Sequence, residues 1–144
     1  MKENNRRQFI LKSAAATAVL SQLPAVHAAG SDTLKIGLIG CGGRGTGAAD
    51  NALNADPNLK LVAMADTFAD RLESSADRLK KLHKDKFAVD DEQRFIGFDA
   101  YRRVLACDVD VVILATPPHF RPEHLAAVVA AGKHAFVEKP IAVD

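Results

Sequence analysis

The chain has 144 residues, of which 48% are hydrophobic and 26% are charged, and its formal net charge is +1. This composition is typical of one globular domain with a sizeable core. The near-neutral charge gives no support to binding of nucleic acid or of an anionic membrane. Nothing in the placement of Cys41 and Cys107 indicates a disulfide framework or a metal site. The spacing of His83, His124 and His134 fits no metal site either, so no bound metal is expected.

The first 28 residues have the pattern of a secretory signal peptide. Four basic side chains come first, at Lys2, Arg6, Arg7 and Lys12. An apolar, alanine-rich run over 13–23 follows, too short to span a bilayer comfortably, with small residues before Ala28. Residues 5–12 resemble a twin-arginine export signal, which implies that the protein folds before export to the periplasm or the medium. An ordinary amphipathic helix and an uncleaved anchor are the alternatives.

A glycine-rich turn follows the first predicted strand. The apolar run 34–39 predicts a buried parallel strand, and it leads into the spacing G-x-G-x-x-G at Gly40, Gly42 and Gly45. These glycines permit a tight turn, close approach of a pyrophosphate and close packing of the next helix, whose N-terminus binds the phosphates. Cys41, Gly43 and Arg44 lie in the same turn. Cys41 is interpreted as a small residue near the phosphates rather than a nucleophile, because no histidine is near it in sequence.

An acidic residue ends the second predicted strand. The apolar run 61–65 leads into Asp66, 21 residues after Gly45. A carboxylate there accepts hydrogen bonds from the adenosine ribose and repels a 2′-phosphate, which favours NAD over NADP. Arg44 and Arg71 qualify this preference, since either pairs with a phosphate that reaches the pocket. Alternatively, Asp66 is the N-cap of the helix that follows.

The rest of the chain alternates helices and strands. Helices are predicted over 46–55, 69–83, 99–105 and 122–131, and strands over 94–96, 109–115 and 134–137, with a polar loop over 84–92. This order implies a doubly wound, parallel α/β sheet with right-handed crossovers. His83, His124 and His134 are expected at surface or capping positions.

Two segments at the carboxyl ends of strands are candidates for the site. Residues 116–119, Thr-Pro-Pro-His, follow one strand, at the edge of the sheet where ligands usually bind. Residues 138–140, Glu-Lys-Pro, follow the last strand. His119 is interpreted either as a cofactor contact or as a residue that forms hydrogen bonds within its loop.

In this order, the glycine turn, Asp66, residues 115–119 and Glu138-Lys139-Pro140 resemble the N-terminal half of Gfo/Idh/MocA oxidoreductases, a family that includes glucose-fructose oxidoreductase and inositol dehydrogenase. The resemblance covers residues 33–144 and implies a Rossmann-type NAD(P)-binding domain. It places Thr116, Pro117 and His119 by the nicotinamide side of the cofactor, and Glu138 and Lys139 at the active site. There the family's lysine hydrogen-bonds the reacting hydroxyl or carbonyl. Otherwise Lys139 is a solvated lysine after a strand.

The resemblance also implies what lies outside this chain. Family members continue into a C-terminal α/β domain that supplies the substrate pocket, so the domain is expected to be truncated and the chain alone inactive. The expected function is NAD binding in an exported oxidoreductase that transfers a hydride between the nicotinamide and a sugar or polyol. An NAD-dependent glycosidase of the same family and a non-catalytic dinucleotide-binding module are the alternatives. Expected partners are the substrate and the twin-arginine export machinery; self-association into a homo-oligomer stays open.

Overall fold

The computed structural model describes residues 33–143, so the predicted signal peptide lies outside the described residues. Five parallel strands form one sheet in the order β3-β2-β1-β4-β5. The strands are Leu34–Ile39 (β1), Leu59–Asp66 (β2), Arg94–Ile96 (β3), Val111–Leu114 (β4) and His134–Val137 (β5). β1 is central because its apolar side chains are buried on both faces, as in Ile36, Leu38 and Ile39.

Four helices alternate with these strands. They are Gly43–Ala55 (α1), Ala69–Leu82 (α2), Ala100–Ala106 (α3) and Arg121–Ala130 (α4), and a short 3₁₀ turn spans Asp91–Gln93. α1 and α2 cover one face of the sheet through a core that contains Leu53 and Leu72. α3 and α4 cover the other face through Val104 and Val128. The predicted doubly wound Rossmann-type fold is confirmed.

The direction of winding changes between β1 and β4. From β1 the chain proceeds to β2 and β3 on one side, then returns to place β4 on the other side of β1. Such a reversal opens a crevice outside the carboxyl ends of the two central strands, which is where open α/β sheets bind ligands. The fold therefore brings the glycine turn after β1 next to the segment after β4.

Some sequence-based expectations need correction. α1 begins at Gly43 rather than at Thr46, and β4 is shorter than the predicted 109–115. His83 is the C-cap residue of α2, one of the two positions expected for it, but its side chain is only 8% exposed and its Nε2 lies 2.7 Å from Asp50 Oδ1. His124, at 7% exposure, is buried as well.

The outer strand β5 leaves apolar surface uncovered in the described part of the chain. Phe136 on β5 is 53% exposed and Val129 on α4 is 68% exposed. Within residues 33–143, no helix combines the length and the apolar character that crossing a membrane requires.

Candidate functional site

A cavity of about 460 Å³ lies at the carboxyl ends of β1, β2 and β4. The glycine turn forms one wall, the end of β2 and the start of α2 form the second, and the segment after β4 forms the third. The lining residues that were predicted as site residues are Gly40, Gly42, Asp66, Arg71, Thr116 and Pro117. The fold thus brings together six predicted positions that are distant in sequence.

Gly40 and Gly45 allow a backbone contact that no larger residue permits. Gly40 has a φ of +95°, and a Cβ there would lie 2.8 Å from the backbone of Ala115 and Thr116. A Cβ on Gly45 would lie 1.8 Å from the carbonyl oxygen of Gly40. These two glycines therefore bring α1, the turn and the end of β4 together.

The second glycine and the start of α1 form a cradle that fits a pyrophosphate. A Cβ on Gly42 would meet only Arg71 Nη1, at 4.0 Å, so the space beside this position is open. Because α1 begins at Gly43, the N–H groups of its first turn have no partner within the helix, and Gly42 has no side chain to cap them. These N–H groups and the positive end of the helix dipole would hold the phosphates of a bound dinucleotide.

Asp66 connects the end of β2 to the glycine turn. Its Oδ2 accepts a hydrogen bond from the backbone N–H of Cys41 at 2.6 Å, and its Oδ1 accepts one from the N–H of Phe68 at 2.9 Å. The alternative that Asp66 caps α2 is wrong, because Phe68 occupies the cap position and α2 begins at Ala69. The carboxylate therefore lies on the cavity wall, held by backbone N–H groups from two sides.

The Cys41 thiol is part of the core rather than of the cavity wall. The residue is 3% exposed, and its Sγ donates to the carbonyl oxygen of Ala65 at 3.4 Å. Burial, together with the nearby charge of Asp66, raises the pKa of the thiol far above its usual range. A thiol in this state is a poor nucleophile, as the sequence analysis expected.

Arg71 packs on an aromatic ring at the cavity wall. The guanidinium lies over the Phe68 ring, 5.2 Å from the ring centroid, and the residue lines the cavity. Phe68 is itself 55% exposed. Arg71 and Asp66 therefore lie in the same wall of the cavity.

The segment after β4 is fixed by aromatic packing. Thr116 and Pro117 line the cavity, whereas His119 does not, and its ring meets the Phe120 ring edge-on with centroids 5.2 Å apart. His124 holds Thr116, since its Nδ1 lies 3.2 Å from the Thr116 hydroxyl. Burial lowers the pKa of His124. His124 was expected at a surface or capping position, but it is buried and lines the cavity.

The ring of His124 also packs on an aromatic residue of the preceding helix. Its centroid lies 4.2 Å from that of Tyr101, whose hydroxyl donates to Glu123 Oε1 at 2.8 Å. Tyr101 lines the same cavity. These aromatic residues give the wall on the α3 and α4 side its apolar character.

The segment after β5 lies beside the cavity rather than in its wall. Glu138 is 5% exposed and its carboxylate pairs with Arg44 Nη2 at 2.7 Å, whereas Lys139 is exposed. The Glu138 N–H donates to the carbonyl oxygen of Leu114 at 3.0 Å, which continues the pairing of β4 with β5. The Lys139–Pro140 peptide bond is cis. Arg44 thus links the glycine turn to the Glu138-Lys139 segment.

Arg121, which was not predicted as a site residue, is a buried cation at the start of α4. It is 6% exposed and lines the cavity. Its Nε donates to the carbonyl oxygen of Thr116 at 2.6 Å, and its Nη1 donates to those of Glu138, at 2.7 Å, and Pro140. One sequence feature could have indicated it, since a cation is unfavourable in the first turn of a helix and its presence there calls for a specific reason.

Comparison with known proteins identifies the family. The family model described as "Oxidoreductase family, NAD-binding Rossmann fold" matches residues 34–144. The chain belongs to the Gfo/Idh/MocA oxidoreductase family. It carries the NAD-binding Rossmann domain of that family, and the cavity at the switch between β1 and β4 is the candidate cofactor site. No cluster of three or more metal-ligating side chains occurs among residues 33–143.

Members of this family with known names or structures are similar over the same region. A glycosyl hydrolase family 109 protein of Streptomyces coelicolor is 36% identical over 113 residues, which are 78% of this chain and 23% of that protein. The scyllo-inositol dehydrogenase of Lactobacillus casei is 28% identical, with a TM-score of 0.58 over 78% of this chain and 30% of that one. A 3-ketoreductase of Actinomadura kijaniata, solved with NADP, is 27% identical, with a TM-score of 0.58 over 78% of this chain and 32% of that one.

The similarity covers only part of each of these proteins. The chain spans about a quarter of the length of the curated relative and about a third of the length of the two solved proteins. The fold and the NAD-binding character belong to the matched region. The reaction and the substrate depend on the whole protein.

Proposed function

We propose that this chain is the cofactor-binding part of an exported, NAD-dependent oxidoreductase that acts on a sugar or polyol. The observation that carries the proposal is the position of the Glu138-Lys139 segment, which the Arg44–Glu138 ion pair fastens to the glycine turn. When bound, the nicotinamide would accept or donate a hydride at its C4 position. The scyllo-inositol dehydrogenase, whose name specifies a polyol, supports this substrate class.

Lys139 is proposed to act on the oxygen of the reacting carbon. Its ammonium group would stabilise the negative charge that develops on a carbonyl oxygen during reduction. In the direction of oxidation, the same group would favour loss of the hydroxyl proton. The exposure of Lys139 agrees with a side chain that meets its substrate from outside the Rossmann domain. His119 is proposed as a neighbour of the nicotinamide, together with Thr116 and Pro117.

Asp66 supports a preference for NAD over NADP. Its carboxylate lies on the cavity wall and would repel a 2′-phosphate while accepting hydrogen bonds from ribose hydroxyls. Arg71 lines the same wall and would reduce that repulsion. We therefore propose NAD as the cofactor in use, with NADP as the weaker ligand.

A glycosidase that uses NAD without net consumption is a second candidate. The name of the Streptomyces coelicolor relative, a glycosyl hydrolase family 109 protein, favours it. In such a reaction a sugar is oxidised transiently, the glycoside is eliminated and the product is reduced again, so the cofactor returns to its starting state. Lys139 would have the same role in both reactions, because each involves a hydroxyl that becomes a carbonyl.

The assay that separates these candidates follows NADH and released aglycone in parallel. The natural protein is incubated with NAD and with panels of sugars, polyols and aryl glycosides. Net NADH production supports the dehydrogenase, aglycone release without NADH supports the glycosidase, and neither product in any panel leaves a non-catalytic NAD-binding module. Lys139→Met should abolish whichever activity is found, whereas Lys81→Met, an exposed lysine in the last turn of α2, should not.

Export by the twin-arginine route is part of the proposal. Lys2, Arg6 and Arg7 precede an apolar run, and a protein that acquires its dinucleotide in the cytoplasm has a reason to fold before export. A mature N-terminus after Ala28 in the periplasmic fraction, lost on replacement of both arginines by lysine, is the expected result. A mature N-terminus at Met1 in that fraction would contradict it. Sedimentation of the same sample reports whether the protein forms a homo-oligomer.

A further inference from the structure

The side chain of Arg121 is the most completely buried cation in the candidate site, and it has an uncommon set of partners. Its hydrogen-bond acceptors are the backbone carbonyl oxygens of Thr116, Glu138 and Pro140. Among residues 33–143, no carboxylate lies within ion-pair distance of its guanidinium. A buried arginine is ordinarily paired with an acid, whereas the hydrogen bonds of this one within residues 33–143 go to backbone carbonyl groups. Its charge also helps to lower the pKa of Glu138, after the larger effect of Arg44.

The three acceptors belong to two segments that follow neighbouring strands, at the end of the sheet where the hydrogen bonds between those strands stop. Thr116 follows β4, and Glu138 and Pro140 follow β5. The last backbone hydrogen bond between these strands is donated by Glu138 to Leu114. Beyond that point Arg121 links the two segments, and its planar guanidinium fixes the direction of each acceptor.

Lys139 lies between the two carbonyl groups that Arg121 holds in the second segment. Because the backbone is fastened immediately before and after it, the Cα of Lys139 has a defined position relative to Thr116, even though its side chain is exposed. The effect of Arg121 on Lys139 passes through the backbone.

The position of Arg121 in α4 has an electrostatic cost that points to the same role. It is the first residue of the helix, where the positive end of the helix dipole disfavours a cation. Pro122 and Glu123 follow in the same turn, as is typical of a helix start, so Arg121 is the exception there. The hydrogen bonds from Arg121 to the three carbonyl groups compensate for this unfavourable position.

We infer that Arg121 is a positioning residue, which sets the location of Lys139 relative to Thr116 and hence to the nicotinamide side of the cavity. A catalytic effect of Arg121 depends on the proposed function of Lys139, whereas its effect on the position of the 138–141 backbone does not. It predicts that the 138–141 segment is rigid in the wild-type chain and becomes mobile when the guanidinium is replaced.

The test measures ¹⁵N relaxation of the backbone amides in the full chain. Order parameters at Lys139 and Ile141 should be about 0.85 in the wild type and should fall below about 0.6 in Arg121→Gln. Arg121→Lys keeps the charge but has a single donor nitrogen. The order parameters at Lys139 and Ile141 should therefore also decrease in this variant, while the fold is preserved. Arg78→Gln, at an exposed arginine on α2, is the matched control and should leave both values unchanged.

Two results would overturn the inference. One is a mobile Lys139 amide in the wild-type chain, which needs no variant to observe. The other is an unchanged order parameter at Lys139 in Arg121→Lys that remains folded by circular dichroism. Loss of thermal stability without a change at Lys139 would mean that Arg121 only stabilises the fold.

Turnover of the natural protein distinguishes this inference from the proposed function. Arg121→Lys should lower kcat roughly tenfold or more, because small displacements of a reacting group are costly, with little change in the KM for NAD. If Lys139→Met retains activity while Arg121→Lys still loosens the 138–141 segment, the catalytic proposal fails and the positioning inference stands. If Lys139→Met is inactive and Arg121→Lys changes neither kcat nor mobility, the positioning inference fails.

Discussion

The carboxylate of Glu138 lies 2.7 Å from the guanidinium of Arg44, and this ion pair joins the turn after β1 to the segment after β5. The two strands are not neighbours, since β4 lies between them in the sheet. The Glu138 side chain is 6% exposed and that of Arg44 is 73% exposed. The pair therefore crosses the carboxyl end of β4 and connects the candidate cofactor turn with the proposed catalytic segment.

Replacing Arg44 by glutamine should change the titration of Glu138. Pairing with Arg44 holds the pKa of Glu138 below its ordinary value of 4.5, so Arg44→Gln should raise that pKa in a ¹³C-carboxyl NMR titration. The Arg78→Gln variant should not. An unchanged Glu138 pKa in Arg44→Gln would mean that the pair does not form in solution.

The same pair predicts a pH dependence of stability. Because the folded-state pKa of Glu138 is lowered, its contribution to the free energy of unfolding is present above about pH 4.5 and is lost as the pH falls through the lowered pKa. The wild type should therefore be more stable than Arg44→Gln at neutral pH, by a modest amount because Arg44 is mostly solvated. The difference should shrink in acid, as urea unfolding at several pH values would show.

Gly45→Ala should destabilise the fold by about 3 kcal/mol, near the upper end for overpacking. The new Cβ would lie 1.8 Å from the carbonyl oxygen of Gly40, and backbone cannot move aside as a side chain can. Gly47→Ala is the matched control in the same helix, because nothing lies within 4 Å of its Cβ. That variant should be neutral or more stable by about 0.5–1 kcal/mol. Equal effects in urea unfolding would contradict the close contact of α1 with the turn.

Cys41 should resist alkylation in the folded chain. Its thiol is buried and its pKa is raised by burial, whereas Cys107 is partly exposed. Iodoacetamide at pH 8 should therefore modify Cys107 first, and Cys41 only when urea unfolds the domain. Peptide mapping by mass spectrometry gives the sites, with Cys107→Ser as the control. Rapid labelling of Cys41 in the native chain would restore it as a candidate nucleophile.

Asp66→Asn should weaken NAD binding and reduce the preference for NAD over NADP. The change removes the charge that repels a 2′-phosphate and one of the two acceptor oxygens that hold Cys41 and Phe68 N–H groups. Losing one such hydrogen bond should also cost about 1.5–3 kcal/mol of stability. Calorimetric titration with both dinucleotides measures the ratio of their affinities. A ratio unchanged in the variant would mean that Asp66 does not face the ribose.

Features of the fold that depend on neighbouring residues could be predicted from the sequence. The apolar run of β1 and the helical spacing of Leu72, Ala76, Leu79 and Leu82 in α2 are local patterns. The first three of these α2 side chains are buried as expected, whereas Leu82, the last residue of the helix, is 54% exposed. The glycine turn was also predictable, because its steric demands are local. The start of α1 was placed three residues late because glycines in a first turn are poor indicators of a helix.

Features that depend on the assembled fold could not be predicted in this way. Arg121 contacts carbonyl groups 5, 17 and 19 residues away, and nothing in its sequence neighbourhood indicates the two distant ones. His124 was expected at a surface or capping position. Its burial could not be predicted, because its partner Tyr101 lies on another helix and only the assembled fold brings the two rings together. The ion pair of Arg44 with Glu138 was missed for the same reason.

Titration of the ¹⁵N-labelled chain with NAD tests the central claim most directly. We expect saturable shifts in the amide signals of Gly42, Gly43 and Arg44, together with those of Asp66 and Thr116 on the facing walls. These NAD-dependent shifts should be absent in the Gly45→Ala variant. Saturation with shifts confined to other surfaces, or no shift at millimolar NAD in a folded wild-type chain, would contradict the assignment of this cavity as the cofactor site.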